Sequence, residues 1–141
     1  MPLVLRRVFL KYYFNAIIEL FMKFSKLHLK EEQPFFRDGW YVKNARLTYP
    51  WKAKVPLFFA VPESYSESVT KQSDPFLIAA ILLAMRLGCS IHIHGQVSPS
   101  LIENLEQFQK LWASWRPGLY HRVVVEAELL TKPIEIAPES H

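Results

Sequence analysis

The spacing of apolar and polar positions changes several times along this chain, and each change marks an element. Between Val8 and Leu27 most positions are apolar, and Lys11, Asn15, Glu19 and Lys23 interrupt them every fourth residue. Polar spacing of four on an apolar ground predicts one helix over residues 4–29 with a narrow wet stripe. Residues 31–39 are polar, contain Pro34 and read as a connector. Trp40–Tyr49 and Val55–Val61 then read as two strands joined through Tyr49-Pro50-Trp51-Lys52-Ala53-Lys54. Pro56 places the second strand's start there, or the strand at a sheet edge, because proline cannot donate to a ladder.

After a Ser- and Glu-rich loop at Ser64–Ser73, two helix starts are written alike, Asp74-Pro75 and Ser98-Pro99. Asp and Ser suit the N-cap, and proline suits the first helical position. The first helix runs from Phe76 to Leu87 and stops at Gly88, a natural left-handed terminator. It is apolar almost all round, which predicts burial on more than one side. Ser90–Gly95 alternates, with Ile91 and Ile93 on one face and His92 and His94 on the other. In the second helix Leu101, Leu105, Phe108, Trp112 and Trp115 recur at steps of four and three, giving one apolar face. Pro117-Gly118 ends it. Tyr120–Leu129 reads as a last strand with Val123, Val125, Ala127 and Leu129 inward and Arg122, Glu126 and Glu128 outward.

The predicted fold is α/β with a mixed sheet: an N-terminal helix, then β-β-α-β-α-β. The first strand is expected in an antiparallel hairpin at one edge, and the later strands in parallel pairs joined by right-handed crossovers. The corresponding division is a basic helical arm at 1–30, a linker at 31–39, an α/β domain at 40–130 and a tail at 131–141.

Composition narrows the function classes. The chain has 141 residues, half of them hydrophobic, enough for one domain with a core. A single cysteine, Cys89, rules out an intrachain disulfide framework or a four-cysteine zinc site, and fits a reducing, cytoplasmic setting. The net charge of +4 sits in the arm: residues 1–30 hold six basic residues against Glu19 alone, and the remainder is close to neutral. The pI near 9.2 therefore describes the arm and not a nucleic-acid-binding domain surface. A basic amphipathic helix of this kind packs on a domain or a partner, or lies on an anionic membrane. The four glycines, Gly39, Gly88, Gly95 and Gly118, are too dispersed for a dinucleotide fingerprint, a Walker loop or a glycine-flanked nucleophile elbow.

Few constellations carry chemistry. Cys89, His92 and His94 invite a metal site, but alternation separates Cys89 from the histidines, and two ligands are too few to close one. The expected role of the pair is a solvated or partner-facing surface. Cys89 follows a helix C-terminus, whose negative dipole end disfavours a thiolate nucleophile. Trp40, Tyr41, Lys43, Arg46, Tyr49, Trp51, Lys52 and Lys54 interleave bases with aromatics, as a single-strand stacking platform would, yet the two types do not segregate onto one face. Glu126 and Glu128 share a strand face and read as solvated carboxylates.

The segments Phe59-Ala-Val-Pro-Glu-Ser-Tyr65, Asp74-Pro-Phe-Leu77, Ile91-His-Ile-His-Gly95, Val97-Ser-Pro-Ser-Leu-Ile-Glu-Asn-Leu105 and Trp112-Ala-Ser-Trp115 together resemble a family of uncharacterised bacterial proteins. In that family this region precedes a PP-loop ATP-pyrophosphatase domain related to the 7-cyano-7-deazaguanine synthases. The resemblance implies ATP and magnesium for a catalytic domain carrying a Ser-Gly-Gly-x-Asp-Ser loop. This sequence contains no adjacent glycines, so no catalytic residue, cofactor or metal ligand is carried over. The expectation is a non-catalytic recognition or docking domain for a separately encoded PP-loop partner, or a truncated remnant of such an enzyme. His92, His94, Ser98, Trp115 and Arg116 are the residues expected at its partner surface. A homo-oligomer is also compatible with this sequence. Two alternatives stand beside it: a membrane-surface or nucleic-acid binder using residues 1–30 or the 40–54 hairpin, and a small metal-dependent enzyme using His92 and His94.

Overall fold

A strand occupies the place where the pattern predicts the end of a helix. The computed structural model describes residues 3–129, so the tail expected at 131–141 lies outside the described residues. The N-terminal helix α1 (Leu3–Phe24) stops at Phe24, and β1 (Lys26–Glu31) begins two residues later. The Ser25 hydroxyl donates back to the Phe21 carbonyl and closes the last turn. Leu27 and Leu29 are fully buried while Lys26, His28 and Lys30 are exposed, which is the two-residue period of a half-buried strand. The sheet thus begins inside the segment read as a helical arm. The segment read as a linker also contains a strand, β2 (Phe35–Arg37). It turns through Asp38 and Gly39, both at positive φ (50° and 81°), into β3 (Trp40–Thr48). Two left-handed residues in a two-residue loop match the twist of the strands they join, and Asp-Gly is the preferred pair for them.

β3 pairs along its whole length with β4 (Lys54–Pro62), and on its other side with β2 and then β1. β1 pairs in parallel with β5 (Ser90–Val97), which pairs in parallel with β6 (Val125–Leu129). Across the sheet the order is β4, β3, β1, β5, β6, with β2 beside β1 on the same side of β3. The mixed α/β fold is as the pattern predicts. Two details differ. β3 is interior and β4 holds the edge, where Pro56 costs no ladder bond. The crossover from β4 to β5 also spans β3 and β1 instead of joining neighbours.

The helices α2 (Asp74–Leu87) and α3 (Pro99–Trp115) cover one face of the sheet. The chain moves in one direction from β4 to β5 to β6, and right-handed crossovers taken in one direction place both helices on the same side. Leu27, Leu29, Leu47, Ile91, Ile93 and Val97 from the strands meet Phe76, Leu77, Ile81 and Met85 of α2 and Leu105 of α3. α2 is buried on one face only: Ile78 is 56% exposed, against the burial on several sides that its composition predicts. The extended residues before β6 satisfy their amides on the helices and not on a strand, with His121 N donating to the Met85 carbonyl and Val123 N to Gln109 Oε1 (2.7 Å). The last ladder therefore starts at Val125, not Tyr120.

The two proline-marked helix starts touch. Ser73, not Asp74, is the N-cap of α2, and Asp74 is its first helical residue. The Asp74 carboxylate instead accepts from Ser98 N (2.9 Å) and from the Ser98 hydroxyl, tying the start of α2 to the start of α3. Gly95 permits this approach, because a Cβ there would lie 2.7 Å from Ser73 Oγ. Asp74→Ala should lower stability by about 1.5–3 kcal/mol, since the Ser98 amide loses its charged acceptor while the Ser98 hydroxyl keeps Gln72 Oε1 at 2.6 Å. Urea unfolding of the variant measures this, and an unchanged midpoint would mean that the link contributes nothing.

Candidate metal centre

With α2 and α3 on one side, the outward residues of the strands lie on the opposite face of the sheet. The ladder registers put these residues in rows. One row reads Lys54, Thr48, His28, His92 and Glu126 across β4, β3, β1, β5 and β6. The next reads Pro56, Arg46, Lys30 and His94. His28 is therefore directly beside His92, and His94 stands two residues further along the same strand. Alternation brings His92 and His94 to one face, as the sequence predicts. The parallel pairing of β1 with β5 adds the third imidazole, which the sequence reading missed because it placed His28 in a helix.

The three rings form one cluster. Their centroids are 4.3 Å apart for His92 and His94, 5.1 Å for His28 and His94, and 5.6 Å for His28 and His92. One ring nitrogen from each lies within 4.8 Å of the others. His28 Nδ1 and His94 Nε2 are 2.9 Å apart, a distance that requires a proton, or another electrophile, between two lone pairs. Burial, followed by the neighbouring charges of His92, His28 and Lys30, holds the His94 pKa below its ordinary value. This favours the neutral imidazole, which is the form that binds metals.

His92 is oriented from behind. Its Nδ1 lies 3.2 Å from Glu126 Oε2, and Lys26 Nζ donates to both Glu126 oxygens at 2.9 and 3.0 Å. The hydrogen bond from Lys26 is the first cause holding Glu126 below the usual carboxylate range, so it is an acceptor only. Nδ1 then carries the proton, and Nε2 keeps its lone pair for a metal. A carboxylate behind a histidine in this way is the common second layer of zinc sites. Glu126 is therefore engaged with two partners, not simply solvated.

The other expected partner-surface residues lie elsewhere. Ser98 is held by Asp74 at the carboxyl ends of the strands. Trp115 and Arg116 are exposed at the far end of α3, about 25 Å along a 17-residue helix. Trp115 meets Trp112 edge-on at 5.5 Å. Nor do the interleaved bases and aromatics of 40–54 form one platform. Lys43 turns inward to Glu31 (3.0 Å) and to the Thr70 and Gln72 carbonyls, and Tyr49 stacks on Trp51. With its three protons placed, Lys43 anchors the loop before α2 to the sheet. Cys89 is fully buried, and burial pushes its thiol pKa up, which leaves it inert.

No protein-family model, curated protein or solved structure matches this chain. Among the described residues no helix is long and apolar enough to cross a membrane.

Proposed function

We propose that this domain binds one divalent transition-metal ion, zinc by its ligand chemistry, on the open face of its sheet through His28, His92 and His94. The observation that carries the reading is the convergence of three imidazoles from two adjacent parallel strands. Zinc–nitrogen bonds of about 2.0–2.1 Å at tetrahedral angles need ligand nitrogens about 3.3 Å apart. The ring nitrogens are already within 4.8 Å, and small torsional changes of surface side chains close the difference. Three histidines with a fourth position open to solvent is the ligand count of zinc sites that act on a bound molecule, whereas purely structural sites are closed by four protein ligands.

Glu126 gives the reading a test that spares the ligands. Glu126→Gln keeps the shape but loses the charge behind His92, and zinc affinity should fall about 10–100-fold. Competition titration against a chromophoric chelator measures this. An unchanged affinity would remove Glu126 from the site.

A second reading rests on α1. Leu10, Tyr12, Phe14, Ile17, Leu20 and Phe21 are all exposed along it, an apolar surface larger than a solvent-facing helix ordinarily carries. This favours a docking role for α1, and the separately encoded PP-loop ATPase domain that the resemblance implies is the partner to test. Sedimentation of the chain alone and mixed with such a domain tests it. Complex formation that Phe14→Glu and Ile17→Glu abolish would support it, and independent sedimentation would reject it.

A further inference from the structure

The metal reading leaves one side of the histidine cluster unexplained. Beside His28 and His94 the sheet face forms an open recess of about 450 Å³, lined also by Lys30, Arg46, Thr48 and Lys54 and by the carboxylates Glu31 and Glu32. These residues come from three strands, and the ladder fixes their placement: Lys54 is beside Thr48, Thr48 beside His28, and Arg46 beside Lys30. Three cations thus stand on the side of the cluster away from Glu126.

Their charges are unequally neutralised. Arg46 Nε is paired with Glu32 Oε1 at 2.8 Å, and Glu31, at the rim, is paired with Lys43. Among the described residues neither Lys30 nor Lys54 has a carboxylate within ion-pair distance. The two carboxylates of the recess, Glu31 and Glu32, are engaged by Lys43 and Arg46, which leaves the Lys30 and Lys54 ammonium groups, the Thr48 hydroxyl and the open metal position without a counter-charge among the described residues. Such a set attracts an anion with several oxygens, because one oxygen can take the metal while others take the ammonium groups.

We infer that the recess binds a phosphate group, free or as the terminus of a phosphate monoester, with one oxygen on the metal held by His28, His92 and His94 and others facing Lys30, Lys54 and Thr48. The inference rests on the metal reading and extends it to the ligand. A carboxylate has only two oxygens and spans fewer of these donors. The charge on the metal raises the local positive potential, so anion binding should depend on the metal.

The test uses the full chain loaded with cobalt(II), whose visible bands report its coordination. Inorganic phosphate should shift those bands saturably in the wild-type protein. In the double variant Lys30→Gln, Lys54→Gln the phosphate affinity should fall at least tenfold while cobalt affinity stays within twofold. Phenyl phosphate, titrated in parallel, distinguishes the sources: tighter binding than phosphate assigns a monoester, and binding of phosphate alone assigns the free ion. Cobalt uptake with no response to either anion would overturn the inference and leave the metal site standing. No cobalt or zinc uptake would overturn the metal reading itself, and the inference with it.

Discussion

Replacing His28 with alanine should abolish stoichiometric zinc binding, with affinity falling by more than about 100-fold, while the fold persists. The size follows from the ligand count. A three-histidine site that loses one ligand keeps only the pair on β5, and even residues behind the ligands cost about 10–100-fold when lost. The fold should survive because His28 is exposed and points away from the core side of β1. Substituting His92 or His94 should have the same effect, although His92 also gives up its contact with Glu126. Metal content after dialysis, read beside the circular dichroism spectrum, separates ligand loss from unfolding. An unfolded His28→Ala protein would mean that the residue has a structural role instead.

The double substitution Leu27→Ala, Leu29→Ala should unfold the protein. Both side chains are fully buried in the middle of the sheet, and a buried Leu→Ala change costs about 2–5 kcal/mol. Two of them approach the whole stability of a typical domain, about 5–15 kcal/mol. If residues 26–30 belonged to a detached helical arm, the same changes would leave the domain's unfolding midpoint where it was. Urea unfolding of each single variant, followed by the double, distinguishes the two arrangements and also tests the placement of His28, since one strand carries both.

The strands and helices after Trp40 were legible because each pattern is long enough to show its period. The alternation of Ser90–Val97 is plain, as is the four-three spacing from Leu101 to Trp112. β1 was not, for a specific reason. Lys26-Leu27-His28-Leu29-Lys30 alternates over five residues only, and it closely follows a 22-residue helix whose four-residue polar spacing runs to Lys23, almost to the helix end at Phe24. A short strand next to a long helix loses the contest of periods. β2 had a signal that was readable: Asp38-Gly39 is the preferred pair for a two-residue hairpin, and the polar composition around it hid the short strand. The site depended on the missed element. Two of its histidines follow from alternation within β5, but the third arrives through a pairing between residues 64 apart in sequence, His28 with His92. No local pattern encodes that contact. It results from the match of Leu27 and Leu29 to Ile91 and Ile93 on the buried face, which turns His28, His92 and His94 together onto the other.

The same comparison limits what the resemblance can carry. Its quoted segments lie between Phe59 and Trp115, whereas the third histidine of the cluster lies in β1. The resemblance therefore includes His92 and His94 but not His28, so it does not by itself contain the complete histidine cluster.

X-ray absorption at the zinc edge, recorded on the full chain loaded with one equivalent of zinc, tests the central claim most directly. The account predicts three imidazole nitrogens at about 2.0–2.1 Å, with the outer-ring scattering that histidine gives, and a fourth light-atom ligand. A zinc environment made only of oxygen ligands, or a chain that retains no zinc, would contradict it.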